Sequence, residues 1–217
     1  MSSTHNSICS GTKIRLFSGV WVDLLDLQPN DILVEDIAHS LAYSCRWTGH
    51  TREFYSVAQH SVLCSNFPIH HADMNHVDDL GVMMGVDEAK RIRYIQFLRL
   101  MHDAGEAYYG DIATPLKSAQ AGAGEEIRHS IDREIDYKYF GYYAPCKRTK
   151  EEIIKPADQK LLSMEAEWLM GFEIDPPAKY VGMRREYLGK PMERCWSPEE
   201  AEDRFLQRFG ELNNGWQ

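Results

Sequence analysis

The chain has 217 residues, of which 43% are hydrophobic, and its formal net charge at pH 7 is −9. This length is sufficient for one compact core but only marginal for two, so we expect a single domain over residues 1–217. The acidic balance argues against duplex nucleic acid as the main partner, because such binding depends on dense lysine and arginine. A small anionic substrate needs only a local positive pocket.

The cysteines and the apolar segments indicate the compartment. The five cysteines form an odd set without a CxxC spacing, as expected for reduced residues in a cytoplasmic protein. The N-terminus lacks the order of a secretory signal, and no apolar stretch approaches the roughly 20 residues needed to cross a bilayer. We therefore expect a cytoplasmic protein without a membrane partner; the aromatic content of 11% leaves room for a homo-oligomer interface without locating it.

Hydrophobic periodicity predicts a mostly α-helical domain whose core covers residues 33–172. Residues 14–24 predict a short β-hairpin that turns at Ser18 and Gly19. The segments 67–88 and 173–196 lack clean periodicity and are interpreted as irregular. Helices are predicted at about 34–46, ending near Arg46, and at 53–66, 88–109, 123–140, 151–170 and 197–211. The last of these begins with Ser197 as its N-cap and a proline at the first helical position.

Three polar residues lie on the inward apolar stripes of separate predicted helices, namely His60, His102 and Asp158. A buried carboxylate needs a partner, because an unpaired buried charge is costly. A divalent cation would satisfy all three residues at once, and Asp103, adjacent to His102, would supply a further ligand. Taken singly, His60 is more often an ordinary hydrogen-bonded core histidine than a ligand, and a lone His-Asp pair is weak evidence for a metal site.

The ligand set indicates the kind of metal. Two histidines and two aspartates leave open coordination positions only if the ion is five- or six-coordinate. This favours Mn²⁺, Co²⁺, Fe²⁺, Ni²⁺ or Mg²⁺ over closed tetrahedral Zn²⁺.

The arrangement of an isolated His, a His-Asp pair and a distant Asp resembles the HD-domain phosphohydrolases, and in particular their bacterial 5′-deoxynucleotidase branch. The resemblance covers roughly residues 35–170. It is carried by CRWTGH at 45–50, YSVAQHS at 55–61, MHDAGEAYYGDIATPLK at 101–117 and KPADQKLLSMEA at 155–166. It implies an all-α HD helical bundle that hydrolyses phosphate from small nucleotides. It also implies that Arg46 and Trp47 meet the phosphate and sugar, while Glu106 and Asp111 act on water and leaving group.

Each of these roles has a plainer alternative. Glu106 follows His102 by one helical turn, where it can act as a general acid or base or be a surface carboxylate. Asp111 follows Gly110 and can bend over the ion or simply form a turn. Arg46 and Lys117 can bind phosphate or be exposed helix-end charges, and Trp47 can stack on substrate or belong to the core.

Three functions are compatible with these residues. The first hypothesis is a 5′-deoxynucleotidase, which releases phosphate from deoxynucleoside 5′-phosphates. The second is removal of triphosphate from a deoxynucleoside triphosphate such as dATP, since phage enzymes of the HD type share much of the pattern. The third is a non-catalytic helical module stabilised by metal. The histidines and aspartates of the 67–88 segment (His70, His71, Asp73, His76 and Asp78) are interpreted as a solvated loop and not as a second metal site, and His129 does not complete one.

Overall fold

A computed structural model describes residues 9–69, 73–74, 86–119, 122–141, 144–171 and 194–213. Most of them are helical, which confirms the predicted all-α fold with an N-terminal hairpin. The helices are α1 (Val34–Tyr43), α2 (Val57–Ser65), α3 (Glu88–Met101), α4 (Glu106–Tyr109), α5 (Thr114–Ala119), α6 (Ala123–Phe140), α7 (Lys147–Thr149), α8 (Lys155–Glu165) and α9 (Pro198–Asn213). Two π-helical segments, Lys150–Ile154 and Ala166–Met170, flank α8.

The N-terminal sheet is antiparallel and has the order β1-β2-β3. Its strands are β1 (Cys9–Ser10), β2 (Lys13–Arg15) and β3 (Trp21–Asp23). The predicted hairpin is β2-β3, and its turn contains Gly19 at a φ of 89°; the short β1 was not predicted. Ser18 donates to both carboxylate oxygens of Asp36, from its backbone N–H at 2.7 Å and its hydroxyl at 2.8 Å. These bonds tie the hairpin to α1.

The helices pack around α2, which contacts α1, α3, α8 and α9. The last helix, α9, covers α1, α2 and α3. It contributes Phe205 and Phe209 to a core that also contains Phe97 of α3 and Leu41 of α1. The side chain of His60 is therefore fully buried within the packed helices. His102 directly follows the last residue of α3.

Several helix boundaries differ from the predicted ones. Helix α1 ends at Tyr43, because Ser44 is extended and its carbonyl accepts from Val57 N at 3.0 Å. The predicted 88–109 helix ends at Met101, and tight turns separate it from α4. Helix α5 was not predicted, because a proline was interpreted as a stop although it is tolerated in a first helical turn.

Helix α6 has the predicted bounds, and the predicted N-cap of α9 is confirmed. Ser197 Oγ accepts from Glu200 N at 3.3 Å, and α9 extends two residues beyond its predicted end. Most of the segments expected to be irregular, 70–72, 75–85 and 172–193, lie outside the described residues.

Candidate metal centre

Three helical elements bring the predicted ligands together. His60 lies in the middle of α2, His102 is the C-cap residue of α3, and Asp158 lies in the first turn of α8. One donor atom from each residue lies within 4.8 Å of the donor atoms of the other two. The convergence expected from the inward stripes is therefore present.

The hydrogen bonds of the two imidazoles determine which ring nitrogens face the gap between His60, His102 and Asp158. His102 Nδ1 lies 2.8 Å from the Arg99 carbonyl oxygen, which can only accept, so this nitrogen carries the proton. His60 Nδ1 lies 2.5 Å from Glu165 Oε1. A neutral imidazole carries only one N–H. When both Nδ1 atoms donate, the lone pairs are on the Nε2 atoms, which face the gap between the three residues.

Carboxylates face these same nitrogens. His60 Nε2 lies 3.2 Å from Asp158 Oδ1, and His102 Nε2 lies 3.1 Å from Asp103 Oδ2. Both Nε2 atoms are buried and make no hydrogen bond within the described part of the chain. A neutral imidazole lone pair beside a carboxylate is repulsive unless a cation or a proton lies between them. The donor set of imidazole nitrogens and carboxylate oxygens could therefore hold a metal ion.

Asp103, the fourth predicted ligand, lies beside the group formed by His60, His102 and Asp158 but is not one of its three members. It also contacts a guanidinium group. Its Oδ2 lies 3.9 Å from His60 Nε2 and accepts from Arg46 Nη1 at 3.2 Å. Burial alone would raise the pKa of Asp103. The opposing effects of His102 and Arg46 are together larger, so the net pKa is well below the ordinary value. Asp103 is therefore ionised at neutral pH, as a metal ligand must be.

The predicted catalytic and substrate-binding residues line one cleft beside this cluster. The cleft has a volume of about 340 Å³, within the usual range for small-molecule sites. Asp103 and Asp158 form part of its wall. The predicted residues that line it are Arg46, Trp47, Glu106, Asp111 and Lys117.

Glu106 is buried in this cleft, with only 3% of its surface exposed, so the surface alternative is wrong. Lys117 Nζ donates to its Oε1 at 2.7 Å, whereas Oε2 makes no hydrogen bond to any described residue. Burial and the Asp103 charge raise the pKa of Glu106 to about 8, and Lys117 partly opposes them. Burial likewise raises the pKa of Asp111, against the effect of Arg46. Lys117 is thus an ion-pair partner of Glu106 and not an isolated helix-end charge.

The local geometry of Glu106 differs from the one predicted. A continuous helix was expected to place it one turn beyond His102, yet the chain leaves α3 at His102. Glu106 N instead bonds Asp103 O at 2.9 Å, three residues back. These tighter turns still direct both carboxylates into the cleft.

Arg46 and Trp47 do not end a helix as predicted. They begin a turn over Arg46–Gly49 in which Trp47 and Thr48 adopt left-handed φ values of 57° and 52°. This conformation is costly for a β-branched residue such as Thr48. Arg46 N bonds Tyr55 O at 2.9 Å, which holds the turn against the start of α2. Arg46 is consequently buried, contrary to the exposed alternative.

Sequence reasoning missed two buried supporting residues. Glu165 is fully buried and contacts His60, Tyr55 and Arg46. The available signal was its position seven residues after Asp158, two turns along the same face of α8. Arg99 is 1% exposed, and its Nη2 donates to Asp73 Oδ2 at 2.9 Å. No apolar pattern distinguishes such an arginine from an exposed one.

The predicted solvated loop is wrong at Asp73, because this residue is buried and paired with Arg99. The histidines and the other aspartate of that loop, His70, His71, His76 and Asp78, lie outside the described residues. His129 has a largely exposed side chain, 4.0 Å from Glu125, on helix α6.

Comparison with known proteins shows the family of the chain. It is 35% identical over 160 residues to the uncharacterized protein RCAP_rcc00048 of Rhodobacter capsulatus, a match that covers 73% of each chain. The chain therefore belongs to the family of that protein. It is also 37% identical over 126 residues to the uncharacterized protein YfdR of Escherichia coli, a match that covers 58% of this chain and only 57% of YfdR. No protein-family model matches the sequence.

Within the described ranges, every helix is too short or too polar to span a lipid bilayer.

Proposed function

We propose that the chain is a metal-dependent phosphohydrolase of the HD type that removes phosphate from deoxynucleoside 5′-phosphates. The observation that carries this proposal is the convergence of two imidazole Nε2 atoms with carboxylates at the wall of a cleft. The three helical ligands His60, His102 and Asp158 would hold one divalent cation, with Asp103 beside them. The resemblance of residues 35–170 to HD phosphohydrolases supports the same reaction class.

The charges in the cleft suit a phosphate ester. When bound, a divalent cation supplies a Lewis acid for a phosphoryl oxygen and makes bound water acidic near neutral pH. Arg46 and Lys117 add positive charge beside the carboxylates of the cleft, which favours an anionic substrate. Trp47 offers an aromatic surface for the sugar or base.

Glu106 is the candidate acid/base group. One of its oxygens is held by Lys117, which leaves Oε2 to exchange a proton with water or with the leaving oxygen. A pKa of about 8 is suitable for both directions of transfer near neutral pH. A buried carboxylate with a perturbed pKa in a cleft favours catalysis over the non-catalytic module, which has no need for it.

The assay is incubation of purified protein with deoxynucleoside monophosphates and triphosphates, each with Mn²⁺ or Co²⁺. ³¹P NMR identifies the products: inorganic phosphate from monophosphates is the result expected, and intact triphosphate would favour the triphosphohydrolase alternative. Glu106→Gln should lower kcat by about 100-fold or more while folding and metal binding persist. Glu126→Gln on α6 changes an exposed glutamate and should leave turnover unchanged.

The proposal fails if neither substrate class releases a phosphorus product, or if Glu106→Gln turns over as fast as the wild-type protein. His102→Ala should lose both metal and activity, because it removes a ligand.

A further inference from the structure

Glu165 lies behind the metal cluster, on the side away from the cleft, and is completely buried. Its Oε1 accepts from Tyr55 OH at 2.6 Å and contacts His60 Nδ1 at 2.5 Å. Its Oε2 lies 3.5 Å from Arg46 Nε, an ion-pair distance without a hydrogen bond. One buried carboxylate thus contacts a predicted metal ligand and a residue of the cleft.

Such a carboxylate is costly to bury unless its partners compensate its charge and fill its lone pairs. The surrounding groups compensate the charge, since Tyr55 and His60 are donors toward Oε1. Arg46 is positive beside Oε2, which has no hydrogen bond within the described part of the chain. Burial itself opposes ionisation of Glu165, so the ionised carboxylate is stable there only while these partners remain. Helix α8 supplies both Asp158 and Glu165, which fixes the distance between the ligand and the supporting carboxylate.

From this geometry we infer that Glu165 is a positioning residue, which holds His60 with Nδ1 protonated and Nε2 directed at the metal and which anchors the Arg46 guanidinium beside Asp103. The inference rests on the proposed metal site. A carboxylate behind a ligating histidine fixes the ring and raises its basicity, and loss of such a partner lowers metal affinity by about 10–100-fold. Glu165 does not contact the cleft and has no direct part in the reaction.

The decisive variant is Glu165→Gln, which preserves size but removes the charge. An amide cannot replace both oxygens. If its carbonyl faces His60, its NH₂ faces the Arg46 N–H; if its carbonyl faces Arg46, its NH₂ faces His60 and reverses the tautomer. In either orientation one of the two contacts is lost.

The readout is Co²⁺ binding, by calorimetry and by the visible spectrum of the bound ion, on variants shown to be folded by circular dichroism. Glu165→Gln should raise the Kd for Co²⁺ by about 10–100-fold and alter the spectrum. Glu167 is exposed and lies in the π-helical segment that follows α8. Glu167→Gln should leave the Kd for Co²⁺ and the spectrum unchanged. A folded Glu165→Gln protein with wild-type affinity and spectrum overturns the inference.

A measurement on the wild-type protein decides the matter even if Glu165→Gln does not fold. In protein labelled with ¹⁵N-histidine and loaded with Zn²⁺, His60 should show a protonated, slowly exchanging Nδ1 and a metal-bound Nε2. An unprotonated His60 Nδ1 would overturn the inference.

These experiments also separate this inference from the proposed function. Co²⁺ binding that depends on Glu165 in a protein that hydrolyses no nucleotide contradicts the proposed function alone. A wild-type protein that binds no Co²⁺ contradicts both.

Discussion

Gly105 lies in the tight turns between α3 and α4. Replacing it by alanine tests the packing of these turns, because the same change at Gly210 is expected to have the opposite effect on stability. The φ of −62° at Gly105 is helical, so alanine suits the backbone there. A Cβ at this position, however, would lie 2.0 Å from Asp132 Oδ1 and 2.8 Å from Tyr109 OH. Gly210 in α9 is the matched control, since nothing lies within 4 Å of its added Cβ.

The magnitude follows from these distances. Asp132 Oδ1 must move by about 1.4 Å to reach an ordinary contact of 3.4 Å. This movement disrupts its 3.0 Å hydrogen bond from Tyr109 OH, which is part-buried, and the loss of such a bond costs about 0.5–1.5 kcal/mol. Overpacking adds about 1–3 kcal/mol, and the gain from replacing a helical glycine returns about 1 kcal/mol. We expect Gly105→Ala to lower the free energy of unfolding by about 2 kcal/mol.

Urea unfolding of the metal-free protein, followed by circular dichroism, measures both variants. Gly210→Ala should raise the free energy of unfolding by about 0.5–1 kcal/mol. The double variant Gly105→Ala/Asp132→Ala should be less destabilised than the sum of its single changes, because the clash is removed. A Gly105→Ala protein that is as stable as the wild-type protein, or that gains stability as Gly210→Ala does, would show that Asp132 and Tyr109 do not restrict this position.

Two further predictions concern the buried charges. Arg99→Met removes the cationic partner of buried Asp73 and should lower the free energy of unfolding by about 3–5 kcal/mol. Arg133→Met, at an exposed site, should change it little. Equal urea midpoints for the two variants would contradict this prediction. Burial and Arg46 lower the pKa of His60, but its carboxylate neighbours raise it more, to about 9 in the metal-free protein. Below that pH the ion must displace a proton from His60, so Co²⁺ affinity should rise with pH up to about 9, and calorimetry should detect proton release. A Co²⁺ affinity that does not change with pH would contradict this prediction.

The helices and the inward polar residues could be predicted because both depend on local periodicity. The helix predicted at 123–140 is present with these bounds as α6, and Ser197 marked the start of α9. His60 and Asp158 could be recognised because a polar residue on an apolar stripe is unusual whatever the rest of the fold.

The remaining features depend on contacts between distant segments. The left-handed Trp47 and Thr48 are held by a bond from Arg46 to Tyr55, which no local preference indicates. The support of His60 by Glu165 spans 105 residues. A charged residue on a helix usually faces solvent, so the burial of Glu165 becomes evident only once its partners have been placed.

The proposed function requires that His60, His102 and Asp158 share one divalent cation. The most direct measurement is elemental analysis of full-length folded protein after equilibration with Co²⁺ and removal of free ion. The wild-type protein should retain about one cobalt per chain, and folded His102→Ala should lose it. Wild-type protein that retains no cobalt, or folded His102→Ala that retains as much as wild type, would contradict this requirement.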